Sequence, residues 1–283
     1  MSIAQSFHIG DDPVSLSSNL TSPRSSSQQW YRPTFSPEHG VYVVLFVSFL
    51  TGAAAAQAWT NETTLALVCA FCGFQAEHPW AMQIRQRKSL KLRFCLWGSI
   101  YTIAAMTIAV SLLLNYSMLL WIYLGAIAAF FIDAISVWQR EQKSIFNEVI
   151  TFAAVCLSAP FALIATTGTL SMTGIGLWLL NTLFFAGTIF TVKFRKSKTP
   201  TIVPSSLYYA IATGIVLGLW GLGWLAPLTS AAFVIALCKF AIVLAQQDWY
   251  RTARIQSIAT LETITSLLFL LMTSLSLLPA HLG

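Results

Sequence analysis

Apolar stretches of about 20 residues succeed one another from Val41 to the end of the chain, and Lys and Arg gather almost wholly in the breaks after every second stretch. A helix rising about 1.5 Å per residue needs roughly that length to cross a hydrocarbon core of about 30 Å. The pattern predicts about nine helices, over 41–58, 64–83, 94–114, 118–138, 145–166, 171–192, 205–225, 228–247 and 257–279. Links after the odd-numbered helices hold Asn61 with Glu62, Asn115 to Ser117, Gly168 to Ser171, and Ala226 with Pro227, without Lys or Arg. Links after the even-numbered helices carry Arg85 to Arg93, Arg140 with Lys143, Lys193 to Lys198, and Arg251 with Arg254. Short cytoplasmic loops retain cations, so the alternation predicts an all-α, polytopic transmembrane helical bundle with a cytoplasmic N-terminus and an outside C-terminus. Trp59, Trp121 and Trp224 fall at the predicted outer boundary, and Trp80, Trp97, Trp138 and Trp249 near the inner one, the headgroup levels an indole prefers.

Composition agrees with a membrane domain. Hydrophobic residues make up 56% of the chain and charged ones only 9%, against a charged fraction near 25% in soluble domains. The net charge of +6 sits at helix ends and forms no continuous basic face, so nucleic acid is not an expected partner, whereas membrane lipid is. Residues 1–36, rich in Ser, Gln and Pro, lack a sustained apolar run and are expected to form a disordered cytoplasmic tail before a nine-helix membrane domain over 37–283. The membrane expected is the cell's inner membrane, or an internal one where the cell has it. Gly52 with Ala56, and Gly214 with Gly218, have the four-residue spacing that lets helices approach closely, and both pairs are expected to pack.

An ionisable group inside a bilayer costs about 2.5–3.5 kcal/mol on insertion scales, so each needs a partner or a purpose. Measured from the nearest cytoplasmic charge, Asp133, Glu262, Glu77, His78 and Lys239 all fall roughly 10–13 Å inside. Glu148 and Asn147 are shallower, and Asn181 comes near the midplane. The shared depth predicts a cytosol-facing polar cavity in which Lys239 meets a carboxylate from Glu77, Asp133 or Glu262; the competing expectation is that these side chains snorkel to the surface. Glu38 with His39 and Glu77 with His78 are ligand types for zinc or iron, but adjacent helical residues point about 100° apart and no metal site is expected. Cys69 and Cys72 share redox-type spacing inside an apolar span, where cysteine behaves as a small hydrophobe. Phosphate-binding glycine loops, nucleophile elbows and zinc-protease helices are absent from the sequence.

Pro37-Glu38-His39-Gly40 resembles the Pro-x-Glu-His-Gly signature of the YwiC-like family of bacterial membrane proteins. Arg140 to Ser144 with Asn147 and Glu148, Trp178 to Phe185 with Asn181 and Gly187, and Arg254-Ile255 with Glu262 fit the same family in order, so the resemblance runs from 37 to about 270. A more distant similarity is to the UbiA-type prenyltransferases, which have nine helices and a cytoplasm-facing cavity; Lys143 and Asn147 echo the opening of their fifth helix. Their Asp-rich magnesium motifs are not matched, because Glu77 and His78 stand in the second helix and the sixth runs into Lys193, Arg195 and Lys196. The family resemblance itself implies little about function; the polar cavity is expected to bind a lipid, quinone or prenyl ligand through Glu38, His39, Glu77, His78, Asp133, Asn147, Glu148, Asn181, Lys239 and Glu262, with Arg140, Lys143, Lys193, Arg195 and Arg254 at its headgroup or phosphate. The alternatives are a secondary transporter using the intramembrane carboxylates and a non-enzymatic membrane assembly factor.

Overall fold

The computed structural model describes residues 33–36, 39–86, 89–196 and 201–278. Among them the chain forms α1 (His39–Ala56), α2 (Asn61–Gln86), α3 (Leu92–Asn115), α4 (Leu119–Gln139), α5 (Ile145–Cys156), α6 (Ser158–Thr167), α7 (Met172–Lys196), α8 (Val203–Gly221), α9 (Pro227–Ala231), α10 (Val234–Ala245), α11 (Gln247–Thr252) and α12 (Ile255–Leu277). Seven spans are long and apolar enough to cross a membrane, counting Ile145–Thr167 and Pro227–Ala245 as one each, and α1 is a shorter apolar helix. With α2, the architecture is the expected polytopic helical bundle. Below, the end of the bundle that carries the basic links is called inner and the opposite end outer.

Two of the expected rods are broken. Pro160 has no N–H to give the carbonyl of Cys156 and its ring crowds that turn, so the hydrogen-bond ladder is interrupted at Leu157 between α5 and α6, although Leu157 keeps helical φ −57° and ψ −17°. Between α9 and α10 the bonds tighten to the i→i+3 type, as in Ala232 N to Thr229 O at 3.2 Å and Ala236 N to Phe233 O at 2.9 Å. The predicted eighth helix also ends earlier than 247, because Gln246 leaves helical geometry and α11 starts a separate turn. Elsewhere the ends follow local chemistry. Arg140 adopts φ 64° and closes α4 with Glu141 N to Ser136 O at 2.8 Å and Arg140 N to Val137 O at 3.2 Å. Ser144 Oγ caps α5 by accepting from Asn147 N at 3.2 Å.

Among the described residues burial gives a smaller core of Phe194, Val243, Tyr250 and Ile258 and two large ones that share α1. One surrounds α7, where Leu180, Phe184 and Phe185 meet Val44, Tyr209, Phe240 and Phe269. The other joins α1, α2, α3, α4 and α6 through Phe49, Ala66, Leu112, Ile122 and Phe161. Gly52 is the tightest approach: a Cβ there would come within 2.7 Å of the Ala159 carbonyl carbon, so α1 and α6 touch backbone to backbone. The other expected glycine contact does not form. Cβ atoms at Gly214 and Gly218 would meet nothing within 4 Å, because that face of α8 points away from the bundle; four-residue spacing defines a face but not which neighbour it meets.

Most of the expected N-terminal tail lies outside the described residues, as do Glu38 and the side chain of His39. Residues 33–36 run against α2 and α3: Arg93 Nη2 donates to Pro33 O at 3.1 Å, Ser36 N donates to Gln75 Oε1 at 3.2 Å, and Tyr42 Oη donates to Ser36 O at 3.2 Å.

Candidate functional site

The most deeply buried charge among the described residues is Lys239, at 1% exposure in α10. Its Nζ donates to Glu262 Oε2 of α12 at 2.8 Å and to Thr188 Oγ1 of α7 at 3.1 Å. Thr188 Oγ1 in turn donates to the same carboxylate oxygen at 2.9 Å, so three helices close on one charge pair. The Nζ also stands 5.4 Å from the centre of the Phe184 ring, whose π face favours a cation. An ammonium this deep is tolerable only with a counter-charge in contact and further bonds to its protons. Lys239 therefore points inward and does not snorkel. Glu262 is the wetter partner at 22% side-chain exposure, yet its Oε1 is buried without a hydrogen-bond partner. The buried hydroxyl of Tyr209 in α8 is likewise unpartnered; its ring stacks on Phe240 at 4.3 Å and lies within electrostatic range of Glu262.

The other polar residues separate by helix face. Asp133 Oδ1 accepts from Asn147 Nδ2 at 2.9 Å, and the same amide donates to Gln142 O at 3.3 Å, which ties α4 to the start of α5. Glu148 Oε2 pairs with Lys193 Nζ at 3.0 Å, and that ammonium also donates to Lys143 O at 2.7 Å, joining α5 to α7. Asn181 Nδ2 donates to Thr51 Oγ1 at 3.0 Å and to Leu177 O at 2.8 Å. Glu77 and His78 are half-buried on α2, which packs in the other core. Arg195 forks onto backbone, with Nε to Tyr250 O at 3.1 Å and Nη2 to Ala253 O at 2.6 Å, holding α11 and the start of α12 to α7. Burial pushes the Tyr250 phenol up from its usual range, with Thr191 opposing the shift. Arg140, Lys143 and Arg254 are exposed at the inner surface. Cys69 is buried and donates to Ala105 O at 3.3 Å, and both it and Cys72 are free thiols.

The five ionisable groups expected at one depth thus do not gather in one place. Lys239 meets Glu262 and Asp133 meets Asn147, while Glu77 and His78 stand half-buried on α2, because helix rotation sends residues of similar expected depth to different faces. Thr188 and Tyr209, which the sequence reading passed over, belong to the central cluster. A signal for Thr188 was available: Asn181, Thr188 and Arg195 are seven residues apart on α7 and share a face.

Lys239 also forms part of the floor of a groove of about 500 Å³ between α10 and α12. Its walls are apolar, among them Val234, Ile242, Ile264 and Leu268, and these residues are exposed on the outside of the bundle. From Leu261 to Met272 it runs along α12 for about 16 Å at 1.5 Å per residue. A second groove of about 250 Å³ lies beside it between α8 and the α9–α10 span, and the two share Ala231 and Val234. Among the described residues no three His, Cys, Asp or Glu side chains gather as a metal-binding group.

Residues 35–163 match the family model described as YwiC-like protein, so from the segment before α1 into α6 the chain is similar to that family. The Pro37-to-Gly40 and Arg140-to-Glu148 stretches fall inside the match, and those around Asn181 and Glu262 fall beyond it. No curated protein and no solved structure matches the chain.

Proposed function

We propose that this YwiC-like integral membrane protein binds a long-chain amphipathic lipid of the quinone or prenyl class in the groove between α10 and α12. The observation that carries the reading is a lipid-exposed apolar groove with a buried, paired Lys239 in its floor. Apolar walls about 16 Å long suit a hydrocarbon or isoprenoid chain. The Lys239–Glu262 pair is neutral as a unit, so it favours an uncharged polar head over a diphosphate. A diphosphate would bring further negative charge beside Glu262 in low dielectric, while Lys193 and Arg195 are already engaged by Glu148 and by carbonyls. For the same reason a UbiA-like prenyl transfer has less support than binding: Asp133 is bonded to Asn147, away from the groove. The inner cell membrane, with the basic links in the cytoplasm, is the setting this reading adopts.

Native mass spectrometry of protein purified in mild detergent tests it. Wild type and Asp133→Asn, which lies elsewhere, are expected to retain the same quinone or prenyl lipid, and Ile264→Trp, which fills the groove, is expected to lose it. Bulk phospholipid alone in all three would refute the reading. Cys238 offers an independent probe, since it is an exposed free thiol in the groove wall and a bound lipid should slow its reaction with maleimide.

A further inference from the structure

Four buried oxygens without hydrogen-bond partners are distributed about one aromatic stack at the centre of the bundle. Phe184 of α7 and Phe269 of α12 stack at 4.0 Å and 19° between planes. On the inner side are Thr188, Lys239 and Glu262, with Glu262 Oε1 and the Tyr209 hydroxyl unpartnered. On the outer side are Asn181, Thr51 and Thr273, with Asn181 Oδ1 and Thr273 Oγ1 unpartnered. Helical rise puts Asn181 about 4.5 Å and Thr273 about 6 Å outward of the stack, and Thr188 about 6 Å inward. The bond from Gln57 Nε2 to Leu277 O, at 3.0 Å, sets the ends of α1 and α12 side by side. Counting back along these two parallel helices brings Thr273 level with Ala53, within one turn of Thr51.

Thr273 departs from the habit of its helix. Thr260, Thr263 and Thr265 each return their hydroxyl to the carbonyl four residues before, and Thr273 Oγ1 does not. A buried hydroxyl or amide oxygen left unpaired is costly, and such atoms are the usual partners of internal water. Two polar levels divided by one apolar constriction are the arrangement by which hydrophobic gates work, through dewetting.

We propose that internal water joins these two polar levels and that protons pass between the outer one and the Lys239–Glu262 pair, with the Phe184–Phe269 stack as the gate. When the stack parts, hydronium on the outer side gives its proton to the Glu262 carboxylate, leaving water and a neutral acid. Lys239, left without its counter-charge, gives its own proton to water on the inner side, and the Glu262 acid then passes its proton to the Lys239 amine across their 2.8 Å contact, which restores the ion pair; the gradient alone drives the cycle. The groups facing Glu262 are Lys239 from α10, Thr188 from α7, Tyr209 from α8 and, at longer range, Tyr250 from α11, which Arg195 holds in place. Lys239 is common to this cluster and to the floor of the lipid groove, whose lining includes neither Glu262 nor the aromatic stack.

The test is proton flux into phosphatidylcholine–phosphatidylglycerol vesicles that hold the full chain and a pH-sensitive dye, driven by a potassium diffusion potential. Phe269→Ala is expected to raise the flux several-fold over wild type, and adding Glu262→Gln to return it to the rate of protein-free vesicles. Flux that appears only in Phe269→Ala and vanishes in the double variant supports a gate closed at rest. Protein-free rates in both wild type and Phe269→Ala, or rates indifferent to Glu262→Gln, would overturn the proposal. Thr273→Val guards against misreading a leaky or misfolded variant. If water reaches the outer level, the substitution lowers the flux of the Phe269→Ala background without raising thermal stability; a gain in stability with no change in flux would show that level to be dry and overturn the proposal.

Discussion

Breaking the Lys239–Glu262 pair from one side is expected to cost far more than removing it whole. At 2.8 Å and an effective dielectric of about 20, the bare attraction is roughly 6 kcal/mol, most of which offsets the cost of taking both ions out of water. Glu262→Met would leave an ammonium at 1% exposure with only Thr188 to face, for an expected loss of about 3–5 kcal/mol. Lys239→Met should cost about 2 kcal/mol, because the remaining carboxylate is 22% exposed and can reach water. The double variant puts two well-sized apolar side chains in place of the pair and should fall within about 1 kcal/mol of wild type. Equilibrium unfolding in mixed micelles of mild detergent and dodecyl sulfate, followed by tryptophan fluorescence, measures all four corners of the cycle. A double variant whose loss equals the sum of the singles to within about 0.5 kcal/mol would show that the two groups do not interact, and the reasoning would fail.

Gly52→Ala forces α1 off the Ala159 carbonyl and should cost about 1–3 kcal/mol, whereas Gly214→Ala meets nothing and should gain up to about 1 kcal/mol; the same micelle titration compares them. Asn147→Leu removes the charge-assisted bond to Asp133 and should cost about 1.5–3 kcal/mol, with no effect on lipid held in the α10–α12 groove. Arg195→Ala frees the Tyr250 and Ala253 carbonyls, so amide exchange in α11 should accelerate by about tenfold or more, and Arg195→Lys should restore little because an ammonium lacks the guanidinium fork.

Much of the fold was legible because the bilayer imposes one-dimensional rules. Spans of about 20 apolar residues bounded by cations or turn formers have few alternatives to membrane-crossing helices, and the expected boundaries lie within a few residues of the observed ones for most spans. The breaks were harder to see. Pro160 signals one, but nothing in the composition of Ala232 and Phe233 marks the other, and α11 is too short for any periodicity to reveal.

The candidate site divides along the same line. The sequence alone set Lys239, Glu262, Asp133 and Glu77 at a similar expected depth, because expected depth is residue count times helical rise. It also narrowed the partner of Lys239 to three carboxylates. Only the tertiary structure decided that Glu262 is the one, that Thr188 bridges the pair, and that Asp133 turns to Asn147. Those outcomes depend on the rotation of each helix about its axis and on its neighbours, which are set by side-chain packing across segments remote in the chain. Gly52 and Gly214 make the same point: identical spacing, yet one meets a backbone and the other faces outward, because which face turns inward is a property of the assembled bundle.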